Sequence, residues 1–122
     1  MPIRVLIADD AAFMRNMIKE VFNHPDFEVV GEASNGIEAV EKYKELLPDI
    51  TTMDIVMPHK SGIESVREII KINKDAKIIM CSALGQESLV MEAIEAGAAD
   101  FIVKPFKPEK VLEIVRKVVN LE

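Results

Sequence analysis

Residues 5–10 read Val5-Leu6-Ile7-Ala8-Asp9-Asp10, four apolar residues running unbroken into two carboxylates. A short apolar run without polar alternation reads as a buried strand, because strands of a parallel sheet are covered on both faces. The arrangement recurs three times. Asp54 follows Ile50-Thr51-Thr52-Met53, Ser82 follows Ile78-Ile79-Met80-Cys81, and Lys104-Pro105 follows Phe101-Ile102-Val103. A fifth run, Phe27-Glu28-Val29-Val30, carries a weaker apolar signal and is expected at a sheet edge.

Between these runs the apolar spacing becomes helical. Phe13, Met17 and Val21 share a face with Met14, Ile18 and Phe22, and the helix should stop near Asn23-His24-Pro25, where proline disfavours the preceding helical residue. Asn35 with Glu38 predicts a capping box before Ala39, Val40 and Tyr43, and Ser61 with Glu64 predicts another before Val66, Ile69 and Ile70. A fourth helix is expected from about Gln86 to Ala96, with Gly97 as its left-handed cap. Pro108 suits the first turn of a fifth, which carries Val111, Leu112, Val115, Val118 and Val119.

Strand and helix thus alternate five times. The pattern predicts an α/β fold, a doubly wound five-stranded parallel sheet with helices on both faces and right-handed crossovers. Residues 1–122 are expected to form a single domain, with no repeat, low-complexity tract or linker. The last helix is expected to reach the chain end with no effector domain after it; Leu121-Glu122 reads either as its frayed end or as a cloning remnant.

Composition narrows the function classes. A chain of 122 residues that is 49% hydrophobic can bury a core without staples, and its one cysteine cannot form an intramolecular disulfide. With no membrane-length apolar stretch and no signal-peptide pattern, a cytoplasmic protein without membrane contact is expected. A net charge of −6 disfavours nucleic acid as a partner.

In doubly wound sheets, ligands bind at the carboxyl ends of the strands, near the switch point in strand order. All four polar clusters occupy such ends, so they are expected to form one site. Three carboxylates in one crevice repel one another unless a cation neutralises them. Oxygen donors without histidine or cysteine favour a hard ion, Mg²⁺. Lys104 cannot be a metal ligand, since an ammonium only donates, but it suits a point charge opposite an anion. Mg²⁺, Lys104 and the Ser82 hydroxyl describe a pocket for a phosphoryl group, with Asp54 as the nucleophile.

These segments carry a resemblance. Val5 to Asp10, Met53-Asp54-Ile55-Val56-Met57-Pro58 and Phe101-Ile102-Val103-Lys104-Pro105-Phe106 resemble response-regulator receiver domains, and the resemblance covers essentially the whole chain. Within that family, Ala12-Phe13-Met14-Arg15 and Cys81-Ser82-Ala83-Leu84-Gly85-Gln86 are most similar to stand-alone chemotaxis regulators. The resemblance implies a flavodoxin-like fold with strand order 2-1-3-4-5, an order for which chemotaxis regulators are a standard example.

It further implies that Asp10, Asp54 and the Val56 backbone carbonyl ligate Mg²⁺, with Asp9 acting through water. Asp54 would take phosphate from a sensor histidine kinase of the CheA type. Backbone amides at Val56 and Ala83 would contact the phosphoryl oxygens, and the Lys104-Pro105 bond would be cis. Ser82 would move towards the phosphoryl group and Phe101 would turn inward behind it. That shift would remodel the surface of helix 4, strand 5 and helix 5, read by a motor-switch or adaptor protein, with a phosphatase as a further partner. The protein would be a phosphoacceptor that assists its own reaction, not an enzyme turning over a separate substrate.

Taken singly, each residue has a plainer reading: Asp9-Asp10 as a turn or cap, Asp54 as a loop cap, Ser82 as a loop hydroxyl and Lys104 as a solvated lysine. Four matching strand ends favour function for the set. Cys81 reads as a small buried hydrophobe, His24 and His59 as isolated, and Glu32 as a solvated edge carboxylate or a residue behind the site. The methionines are expected mostly at helical core positions. Phe101 stands where chemotaxis regulators often have tyrosine, and Val56 and Leu84 are expected to flank the phosphoryl group, where many relatives are polar.

Three other readings compete. A flavodoxin-like redox module would need a hydroxyl- and amide-rich loop where Asp9-Asp10 stands. A haloacid-dehalogenase-type phosphatase would need a second acid where Val56 stands. The third is an excised receiver of a larger regulator, such as a methylesterase or transcription factor, with which His24 to Gly31 is also compatible.

Overall fold

The computed structural model describes residues 1–120; Leu121 and Glu122, and with them the reading of the chain's end, lie outside that range. Strands and helices alternate as the sequence predicts: β1 (Ile3–Ala8), α1 (Ala12–Val21), β2 (Phe27–Ala33), α2 (Gly36–Leu46), β3 (Ile50–Asp54), α3 (Gly62–Ile72), β4 (Ile78–Ser82), α4 (Glu87–Ala96), β5 (Asp100–Val103) and α5 (Pro108–Val119). All pairings are parallel, in the order β2-β1-β3-β4-β5. The chain reverses direction across the sheet between β1 and β3. That switch point leaves a crevice at the carboxyl edge.

Successive strand residues point to opposite faces, and each face has its own core. Leu6, Met53, Ile78 and Met80 pack under α2, α3 and α4 with Val40, Val66, Ile69 and Ala93. Val5, Ile7, Ile50, Ile79 and Cys81 pack under α1 and α5 with Ile18, Phe22, Val111 and Val115. Cys81 is fully buried, as expected of a small hydrophobe.

Several details depart from the sequence reading. In α1 only one edge of the expected apolar face is covered: Ile18 and Phe22 are buried, whereas Phe13 and Met17 are exposed. The methionines divide the same way, with Met53 and Met80 buried in strands and the helical Met17 and Met91 exposed. β2 runs past Val30 to Ala33, joined to β1 through a register shift that skips Val30. The box at Ser61 and Glu64 forms in both directions. At Asn35 only half of it forms, because the Glu38 carboxylate accepts from the Ser34 amide and hydroxyl instead of from Asn35. Gly97 ends α4 at φ 124°, on the positive side as expected.

One glycine sets the position of the site. A Cβ on Gly62 would stand 2.0 Å from the Asp54 carbonyl oxygen, and the Gly62 amide donates to the Ile55 carbonyl at 2.8 Å. Without a side chain, the start of α3 lies directly on the chain leaving β3.

Candidate functional site

β1 and β3 end side by side, with Ala8 opposite Met53, so Asp9 and Asp54 leave adjacent strands at almost the same level. Asp9 is 1% exposed, yet both its oxygens are engaged. Oδ1 accepts from the Ala11 amide at 2.9 Å, and Oδ2 accepts from Lys104 Nζ at 3.3 Å. Lys104 also donates to Asp54 Oδ1 at 3.3 Å, bridging two carboxylates. Asp10 is exposed at the rim, and each of the three aspartates offers an oxygen within 4.8 Å of the others.

The electrostatics follow from this crowding. Burial pushes the Asp54 carboxyl up to about 6; the Asp9 charge adds to the effect and Lys104 opposes it. Burial works against the Lys104 ammonium, but Asp54 and Asp9 outweigh it and raise its pKa. Two acids and one base are thus an incomplete neutralisation, which a cation would complete. The donor set fits a hard divalent ion, since it comprises carboxylate oxygens without imidazole. Cys81, level with Asp54 across the sheet, supplies no thiolate, because burial pushes its thiol up to about 12.

β4 and β5 bring the remaining candidates. Lys104 donates its amide to the Ser82 carbonyl at 2.7 Å, which ties the two strand ends together, and the Lys104-Pro105 bond is cis. Ser82 is 1% exposed and its hydroxyl has only a long 3.5 Å contact to the Ile102 carbonyl. A hydroxyl so weakly held is cheap to turn. Ala83 is exposed one residue further on, and Val56 is exposed in the loop after β3. Phe101 lies on β5, three residues before Lys104. It is 40% exposed and lines a cavity of about 210 Å³ with Ser82, Ala83, Leu84, Val90 and Met91.

Two neighbours escaped the sequence reading. Arg15 Nη1 donates to the Asp9 carbonyl at 2.7 Å while its Nε pairs with Glu32 at 3.1 Å. Glu32 also pairs with Lys19, and this bond above all holds its carboxyl below the ordinary range. Glu32 is thus a half-exposed carboxylate on the edge strand, as expected, and it also braces the arginine behind Asp9. Gln86, expected to open α4, instead turns its side chain back and accepts from the Ala83 amide at 2.7 Å. Nothing in the spacing of Arg15 or Gln86 distinguishes them from ordinary helix residues.

The sequence profile of the response regulator receiver domain matches residues 5–116. The chain is 63% identical over 115 residues to the chemotaxis protein CheY of Thermotoga maritima, covering 94% of this chain and 96% of that one. Its structure is similar to the response regulator domain of T. maritima CheB, with a TM-score of 0.92 and 42% identity over 100% of this chain and 99% of that chain. It is also similar to a chain in the CheX-CheY-BeF3-Mg complex of Borrelia burgdorferi, with a TM-score of 0.91 and 42% identity, covering 97% and 90%. No described helix is long and apolar enough to cross a membrane. With its carboxylate crevice at the switch point of a 2-1-3-4-5 sheet, the chain belongs to the response regulator receiver domain family.

Proposed function

We propose that this protein is a chemotaxis response regulator whose Asp54 accepts a phosphoryl group from a phosphohistidine of a sensor histidine kinase. The carrying observation is the Lys104 ammonium set 3.3 Å from both Asp54 and Asp9 beside the exposed Asp10. Asp10, Asp54 and the Val56 carbonyl would hold Mg²⁺, with Asp9 reaching it through water. When bound, the ion neutralises the carboxylates and polarises the phosphoryl oxygens.

An Asp54 oxygen attacks phosphorus, the P–N bond to the kinase imidazole breaks, and its electron pair leaves with that nitrogen. Lys104 already sits at the acceptor and can turn a donor to the new charge. The Ser82 hydroxyl gives up its long contact to Ile102, and the backbone amides of Val56 and Ala83 offer further donors. Phe101 then enters the cavity behind Ser82, which changes the α4–β5–α5 face seen by a motor-switch or adaptor protein. A phosphatase would reset the switch, all within the cytoplasm, and residues 1–122 would work as one receiver domain. The 63% identity to a CheY, against 42% to a CheB domain, favours a chemotaxis regulator over a methylesterase receiver.

Intact-mass measurement after incubation with Mg²⁺ and acetyl phosphate tests this reading. Wild type is expected to gain one phosphoryl group and Asp54→Ala none. No gain in wild type, under conditions that label a known receiver, overturns it.

A further inference from the structure

The β4–α4 loop, Ala83-Leu84-Gly85-Gln86, is closed by a side chain rather than by packing. Leu84 is 79% exposed, and nothing lies within 4 Å of where a Cβ on Gly85 would stand. Gly85 takes φ +89°, which turns the chain back towards the strand end. The closing bond is that from the Ala83 amide to Gln86 Oε1, at 2.7 Å. Gln86 holds the N-cap position of α4, where a side-chain oxygen ordinarily accepts from the second or third amide of its own helix. Here no side chain caps the helix, and the carboxamide serves the preceding loop instead.

The donor it occupies lies at the site. Asp54 pairs with Cys81 across the sheet, and the Ile55 amide donates to the Cys81 carbonyl at 3.3 Å. Ala83 is two residues past Cys81, at the level of Val56 and beyond the last strand pairing. Its amide is therefore a backbone donor at the mouth of the crevice, held by a neutral acceptor on a flexible stem. An anionic phosphoryl oxygen is the stronger acceptor, since charge-assisted hydrogen bonds are roughly twice as strong as neutral ones.

We propose that Gln86 is a displaceable acceptor: in the resting protein its carboxamide occupies the Ala83 amide that a phosphoryl oxygen on Asp54 takes over. The inference rests on the phosphoacceptor reading above. No covalent change is involved, because the proton stays on the Ala83 nitrogen and only its acceptor changes. Gln86 is thus a positioning residue with two effects. It opposes phosphorylation by the free energy of one hydrogen bond, and once displaced it frees the loop and the uncapped start of α4.

The test is titration of the Mg²⁺-saturated protein with beryllofluoride, followed by amide NMR. Gln86→Ala is expected to bind about three- to tenfold more tightly than wild type, the worth of one ordinary hydrogen bond. Gln86→Glu keeps an acceptor and adds a like charge, so it should bind more weakly than wild type. In wild type, the Gln86 side-chain NH₂ resonances should shift on binding. A merely structural role predicts the opposite for alanine, a looser loop and weaker binding. If Asp54→Asn abolishes binding while Gln86→Ala binds no more tightly than wild type, the displacement idea fails and the phosphoacceptor reading stands. If wild type does not bind, or Asp54→Asn binds equally well, both fail.

Discussion

Asp54 is 13% exposed, faces a second buried acid and has one lysine to share with it. Its folded-state carboxyl titrates near 6 against 3.8 for the ordinary group. The folded state therefore binds the proton more tightly than the unfolded chain. The stability this confers is complete below pH 4 and is lost as pH rises through 6. In chelator, above pH 6, Asp54→Asn should exceed wild type in stability by about 2 kcal/mol after allowance for solvent screening, and the gap should close as pH falls to 4. Urea denaturation across that range measures it, and a gap independent of pH would assign the effect to packing instead. Added Mg²⁺ should stabilise wild type more than the variant, since the ion replaces the missing counter-charge. Val56 works on the opposite step. It lies two residues past the proposed acceptor, is 57% exposed and is apolar, so it has no group with which to orient an attacking water. Val56→Asn should shorten the phosphoryl lifetime by up to about tenfold, the worth of one hydrogen bond in the transition state, in a decay assay of labelled protein. Equal lifetimes would remove Val56 from the account.

At the scale of elements, β3 both carries the proposed acceptor and contains an internal cost. Thr51 and Thr52 are buried at the centre of the sheet, and neither hydroxyl has a hydrogen-bond partner among the described residues. A buried hydroxyl without a partner costs free energy that a methyl group of the same shape does not. Thr52→Val should raise stability by about 1 kcal/mol in chemical denaturation, with phosphorylation by acetyl phosphate unchanged; a loss of stability would reveal a hidden partner for the hydroxyl. Gly62→Ala should act in the other direction, by about 2 kcal/mol or more, because its methyl would meet the Asp54 carbonyl backbone. The central strands were legible from their apolar runs because burial on both faces leaves no alternation to misread. β2 was legible only in part: Gly31 and Glu32 give no apolar signal, and its pairing past Val30 depends on a bulge that β1 accommodates. The Phe13–Met17 edge of α1 misled for a related reason. Helical spacing marks an apolar face, but how much of that face a neighbouring helix covers is a tertiary fact.

Across the whole molecule, strand order decides which residues meet. Lys104 reaches Asp9 across 95 positions of sequence and Asp54 across 50. Strand-end position foretold that convergence because every strand runs parallel and ends at one edge. Arg15 and Gln86 were not legible, because each acts through a backbone group, the Asp9 carbonyl or the Ala83 amide, that no side-chain pattern records. Phe101 shows how a local charge could travel. Phe101 lines the 210 Å³ cavity beside Ser82 and also a groove of about 570 Å³ along β5 and α5, edged by Pro105, Phe106, Lys107 and Lys110. In the proposed switch an inward turn of the ring fills the first space and alters the wall that Phe101 gives the second, so one rotamer change would be registered at both. A phenylalanine has no hydroxyl to anchor either position, which leaves packing alone to set the balance. Hydrogen exchange with and without Mg²⁺ and beryllofluoride tests the coupling without needing a partner. In wild type, altered protection should extend through α4 and β5. In Phe101→Ala it should remain within the loops carrying Asp9, Val56 and Ala83, while beryllofluoride binding itself persists. Changes of equal reach in the two proteins would mean that α4 responds through its own first turn, and that Phe101 follows the switch instead of transmitting it.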